Sequence, residues 1–128
     1  MTRAARIGCD VVRLARMERL ARRYGAELLG DVFAPAEQEA GRDGLARCFA
    51  VKEATLKAIG TGIASGVSLR DVEVILGDEG AADARLAGSL AVVTARYELA
   101  ARTFVEDGWA SAVVLLSPRR TPCRCAIS

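Results

Sequence analysis

The sequence predicts an α+β domain, and three observations carry that prediction. Leu45 to Ile59 contains no Gly or Pro and reads as a long helix, short β-prone segments lie near both ends of the chain, and turn residues separate the later ones. A length of 128 residues suits one domain with a modest core. The composition, 52% hydrophobic and 27% charged, argues against disorder and is apolar for so small a protein, which suits burial of surplus surface between subunits.

Ala5 to Val12 is a short apolar run with β-branched residues and reads as a strand, with Asp10 near its end. From Arg13 to Tyr24, Leu14, Met17, Leu20 and Ala21 recur at helical spacing, and Gly25 is the expected stop. Pro35 suits the first turn of a short helix through Glu39, because proline loses nothing where its N–H would be unpaired. Asp43 can cap the long helix, and Gly60-Thr61-Gly62 is expected to end it. Val72 to Leu76 is a strand, Asp78-Glu79-Gly80 a turn, and Ala84 to Leu86 a short return strand. Ser89 to Leu99 reads as helix, and Arg102 to Val105 and Trp109 to Leu116 as two strands turning at Glu106-Asp107-Gly108. Residues 1–117 are expected to form the domain, and 118–128 a flexible tail.

The composition also excludes chemistry. There is no histidine, which removes Ser-His-Asp and His-zinc sites. Cys9, Cys48, Cys123 and Cys125 show neither a disulfide nor a zinc pattern and read as reduced thiols. No apolar run reaches the roughly 20 residues of a spanning helix, so no membrane role is expected and the cytoplasm is the expected compartment. Arg3, Arg6, Arg13, Arg16, Arg19, Arg22 and Arg23 crowd the first 23 residues against Asp10 and Glu18, which favours an acidic partner. A net charge of only +2 and 5% aromatic residues argue against nucleic acid.

The chemistry-bearing stretch is Phe49 to Gly62. Lys52 and Lys57 are the only lysines in the chain, and Phe49, Glu53 and Lys57, four residues apart, share one helix face. Taken alone, Glu53 and Lys57 are an ordinary surface pair worth about 0.2–0.5 kcal/mol, and Asp10 an ordinary turn or cap residue. Taken together, carboxylates from two elements can hold a magnesium ion that keeps several waters and binds substrate phosphates, with a lysine one turn on as a point charge for phosphate. Phosphoryl-type transfer needs chiefly positioning and charge stabilisation, so it can proceed without histidine.

With Ile7-Gly8-Cys9-Asp10-Val11-Val12, the stretch Phe49–Gly62 resembles the holo-acyl-carrier-protein synthase family, the small 4′-phosphopantetheinyl transferases. The resemblance implies their fold, a small antiparallel sheet packed against a long central helix. It implies transfer of the 4′-phosphopantetheine arm of coenzyme A to a serine of an apo acyl carrier protein, releasing adenosine 3′,5′-bisphosphate, in fatty-acid or polyketide biosynthesis. It assigns Asp10 and Glu53 to magnesium, and Glu53 and Lys57 to catalysis. Arg47, Lys52, Lys57, Gly60, Thr61 and Gly62 fall to coenzyme A, and Arg16, Met17, Arg22 and Arg23 to docking the acidic carrier. A homotrimer with shared active sites is also implied.

Three positions depart from the family pattern. Cys48 stands where many members have Arg, with Arg47 beside it about 100° away on the helix. Glu106 lies nearest the place of a family His, and Gly80-Ala81-Ala82-Asp83 lacks the usual Pro. These departures motivate the alternative of a specialised or non-catalytic carrier-protein-binding homologue.

Overall fold

The first apolar run of the chain pairs with the last. Strand β1, Arg6–Arg13, lies antiparallel to β5, Trp109–Pro118, with Asp10 opposite Ala112. Helix α1 (Leu14–Val32), the short α2 (Pro35–Gln38) and the long α3 (Gly41–Ile59) follow β1. Then come β2 (Val72–Leu76), β3 (Ala81–Leu86), the short α4 (Ala91–Arg96) and β4 (Tyr97–Glu106). All strands join one antiparallel sheet in the order β1-β5-β4-β3-β2, so the predicted α+β class holds. This computed structural model describes residues 4–60 and 66–120, the side chain of Leu28 excepted.

Helix α3 lies across the inner face of the sheet. Ala46, Ala50, Ala54 and Ala58, spaced four apart, are all buried and form a low ridge against it. Small residues let helix and strand approach closely, and Gly8 of β1 marks the tightest point. A Cβ built there would stand 2.0 Å from the backbone oxygen of Ala54 and 2.6 Å from the nitrogen of Ala58. From the sheet, Val12, Ala110, Ala112, Val114 and Leu116 complete this core layer, while Met17, Phe33, Val51, Leu56 and Val72 fill it from the helices and β2. The opposite face of the sheet is unusually apolar for an exposed surface: Ile7, Val11, Phe104, Val113 and Leu115 all point outward.

Several boundaries differ from the sequence expectation. Gly25 does not stop α1 but kinks it, at φ 64° and ψ −154°, and the helix resumes to Val32. Without a Cβ, glycine tolerates that conformation where other residues do not. The helix expected over Ser89–Leu99 ends at Arg96, because Tyr97, Glu98 and Leu99 are drawn into the ladder opposite Pro118, Ser117 and Leu116. Pro118, the expected start of the flexible tail, is held in the sheet. That residue belongs to β5, and the backbone N–H of Arg119 donates to Arg96 O at 2.8 Å.

Candidate active site

The close crossing at Gly8 places the end of β1 beside the last two turns of α3. Gly8, Asp10 and Val12 alternate onto the inner face of β1, so Asp10 faces α3 at the rim of the core. Glu53 and Lys57, one turn apart on α3, meet it there. Lys57 Nζ donates to Asp10 Oδ1 at 2.9 Å and to Cys9 O at 3.2 Å. Burial pushes the Glu53 carboxyl above its ordinary range and the Asp10 charge pushes it further, with Lys57 opposing. The Lys57 ammonium is held above its usual value by its hydrogen bond to Asp10.

A half-buried carboxyl with a second carboxylate beside it calls for a cation. Among the described residues no group of three or more His, Cys, Asp or Glu side chains stands together, so Asp10 and Glu53 form a pair rather than a cage. That donor set fits a hard divalent ion that keeps waters and shares its remaining positions with substrate phosphate. It lacks the nitrogen and sulfur donors on which zinc sites mostly rely.

Lys52 requires a correction. Although adjacent to Glu53, it points into the core and is fully buried, so it offers nothing to coenzyme A. Its ammonium pairs with Glu37 Oε1 at 3.0 Å, donates to Leu69 O at 2.9 Å, and reaches Val72 O. Glu37 in turn accepts from the backbone N–H groups of Ala34 (2.7 Å) and Val74 (2.8 Å). β2 is an edge of the sheet, and this buried pair satisfies its outward N–H and C=O groups in place of a further strand. Burial lowers the proton affinity of Lys52, and the hydrogen bond to Glu37 restores part of it.

Arg47 is also committed elsewhere. Its Nε donates to Thr103 Oγ1 of β4 at 2.7 Å, and Nη2 is shut away from solvent without a partner, so no free guanidinium fork faces a phosphate. Gly60 is the left-handed cap of α3, φ 85°, its N–H shared between Leu56 O and Lys57 O. Thr61 and Gly62 lie outside the described residues. Cys48 is buried and its thiol is pushed up to about 12, chiefly by that burial, so it packs rather than reacts.

On α1, Arg16, Arg22 and Arg23 are exposed, whereas Met17 is buried. Met17 lines an apolar cavity of about 230 Å³ with Leu20, Tyr24, Leu29, Phe33 and Phe49, so the arginines border a hollow. Glu106 ends β4, exposed, beside a hairpin tip whose Gly108 O accepts from Leu14 N at the start of α1.

Sequence reasoning missed Glu37, Thr103 and the apolar outer face. The first two were not legible, since their partners lie 15 and 56 residues away along the chain. The third had a signal in the alternation of Ile7, Val11, Val113 and Leu115 within strands that are apolar on both faces.

The profile of the 4′-phosphopantetheinyl transferase superfamily matches residues 6–114. A holo-[acyl-carrier-protein] synthase of Halorhodospira halophila is 42% identical over 93 residues, covering 68% of this chain and 74% of the relative. The structure of Helicobacter pylori holo-[acyl-carrier-protein] synthase in complex with coenzyme A superposes with TM-score 0.76 at 29% identity, over 87% of this chain and 99% of that one. The enzyme of the same name from Neisseria meningitidis gives TM-score 0.75 at 29% identity, over 88% and 97%.

Proposed function

The chain belongs to the 4′-phosphopantetheinyl transferase superfamily, and from that premise we propose that it is a holo-acyl-carrier-protein synthase using Asp10, Glu53 and Lys57 as its reacting centre. It transfers the phosphopantetheine arm of coenzyme A to a serine of an apo carrier protein. The serine oxygen forms a bond to phosphorus as the diphosphate P–O bond breaks, and adenosine 3′,5′-bisphosphate departs. The observation that carries the residue assignment is the convergence of two carboxylates and one lysine from β1 and α3 at a partly exposed rim.

Asp10 and Glu53 would hold Mg²⁺, which would supply positive charge to offset that of the diphosphate. Lys57, on a long exposed stem, meets a phosphate oxygen as a point charge. Gly60, without a Cβ, allows the pyrophosphate to approach the backbone closely. Arg16, Arg22 and Arg23 steer the acidic carrier, and Met17 forms part of the apolar hollow that receives it.

The apolar outer face of the sheet supports a homotrimer with shared active sites, because isolated proteins rarely expose so large a contiguous patch. Among the described residues no helix is long and apolar enough to cross a membrane. Cys9 and Cys48 are free thiols, which accords with the reducing cytoplasm as the compartment.

Mass spectrometry of apo carrier protein after incubation with coenzyme A and magnesium tests the reading. The carrier should gain the phosphopantetheine mass, and Asp10→Ala and Glu53→Ala should each slow the gain by about 10²-fold or more. Undiminished transfer by either variant would remove that residue from the centre.

A further inference from the structure

Asp10 Oδ1, one of the two oxygens this carboxylate could offer a cation, is engaged by Lys57 Nζ at 2.9 Å. The same ammonium is held by a second β1 acceptor, Cys9 O at 3.2 Å, so the lysine is drawn across the gap between helix and strand. The partners differ in freedom: the Lys57 side chain is 56% exposed, that of Asp10 only 16%. Lys57 can therefore swing into water, whereas Asp10 is fixed by β1.

Resting on the metal role of Asp10 and Glu53, we infer that Lys57 is a tethered counter-cation that competes with the metal for Asp10 and releases it when a diphosphate offers a second anion. The geometry favours exchange over coexistence. A divalent ion and an ammonium on one carboxylate oxygen repel each other, and the lysine is the partner that can move. Before exchange, the Lys57 ammonium supplies the positive charge between Asp10 and Glu53. Afterwards the ion takes over that task, and the lysine is free for phosphate. Metal and coenzyme A consequently assist each other's binding by the same factor, as linkage requires. Lys57 is a positioning residue in the first state and a phosphate contact in the second.

Manganese titration of the full-length, chelator-stripped protein, read by the paramagnetic resonance of free Mn²⁺, tests the exchange. Lys57→Met removes the competitor at an exposed position, and its melting curve checks that the fold is kept. Without coenzyme A, this variant should bind Mn²⁺ about fivefold more tightly than the parent, the upper range for losing an exposed ion pair. Lys57→Arg should stay within about twofold of the parent, because it keeps the competing charge. The factor by which saturating coenzyme A tightens Mn²⁺ should be smaller in Lys57→Met. Equal Mn²⁺ affinity in Lys57→Met and parent, with binding lost in Asp10→Asn, overturns the exchange and leaves the metal role standing. Absence of Asp10-dependent Mn²⁺ binding in every one of these proteins overturns both.

Discussion

Replacing Lys52 by Met keeps the length of the side chain and removes only its buried ammonium. Glu37 would lose its 3.0 Å partner while remaining buried, though still bonded to the N–H groups of Ala34 and Val74. Leu69 O and Val72 O would lose their donor with no route to solvent past α3. Breaking a buried pair from one side costs about 3–5 kcal/mol, and each orphaned carbonyl falls in the range of about 1–3 kcal/mol already overlapping that total. For a 128-residue domain 1 kcal/mol corresponds to about 4 °C in Tm, so the expected loss is about 12–20 °C. The assay is thermal unfolding followed by circular dichroism, with steady-state kinetics at a temperature where the variant is folded. The KM for coenzyme A should be unchanged there. A Tm within about 4 °C of the parent, accompanied by a raised KM for coenzyme A, would refute the structural role and return Lys52 to the substrate. The double variant Lys52→Met/Glu37→Gln should lose less than the two single losses added, because the residues share one network.

Gly8→Ala forces a Cβ against the backbone of α3, where nothing flexible can yield; it should cost about 3 kcal/mol by chemical denaturation and lower transfer as Asp10 parts from Glu53 and Lys57. Arg16→Glu should raise the KM for carrier protein several-fold, an effect that about 0.5 M salt largely erases while the KM for coenzyme A holds. With its thiol pushed up to about 12, Cys48 should resist iodoacetamide at pH 8 in the folded protein and react only on unfolding, whereas exposed Cys9 should label, as peptide mapping would report. Its acid is the weaker one in the folded state, so the stability it contributes is present below the ordinary value of 9.0 and lost as pH rises through about 12.

Much of this protein was determined by local rules that a single chain displays. The Gly- and Pro-free run from Leu45 ends at a left-handed Gly60, as a helix ending in Gly must. Helical spacing set Glu53 and Lys57 on one face before any partner was known, and the motif around Asp10 named that partner. The departures at Cys48 and Glu106 were visible as well, and both lie off the Asp10, Glu53 and Lys57 cluster: one is buried and the other sits at a hairpin tip.

Tertiary structure decided what neighbouring residues do. Lys52 and Glu53 are adjacent, and helix geometry fixes only the angle between them, about 100°. Which of the two meets the core depends on Glu37, Leu69 and Val72, which are distant in sequence and offer an acceptor only where the edge of the sheet folds against α3. Tyr97 to Leu99 became strand for the same kind of reason, since a ladder partner 17 to 21 residues away outweighs local helix preference. The sequence by itself determined that two carboxylates and a lysine would be available for phosphate chemistry. Only the close crossing at Gly8, set by small residues on both surfaces, decided that they meet and that the other lysine does not join them.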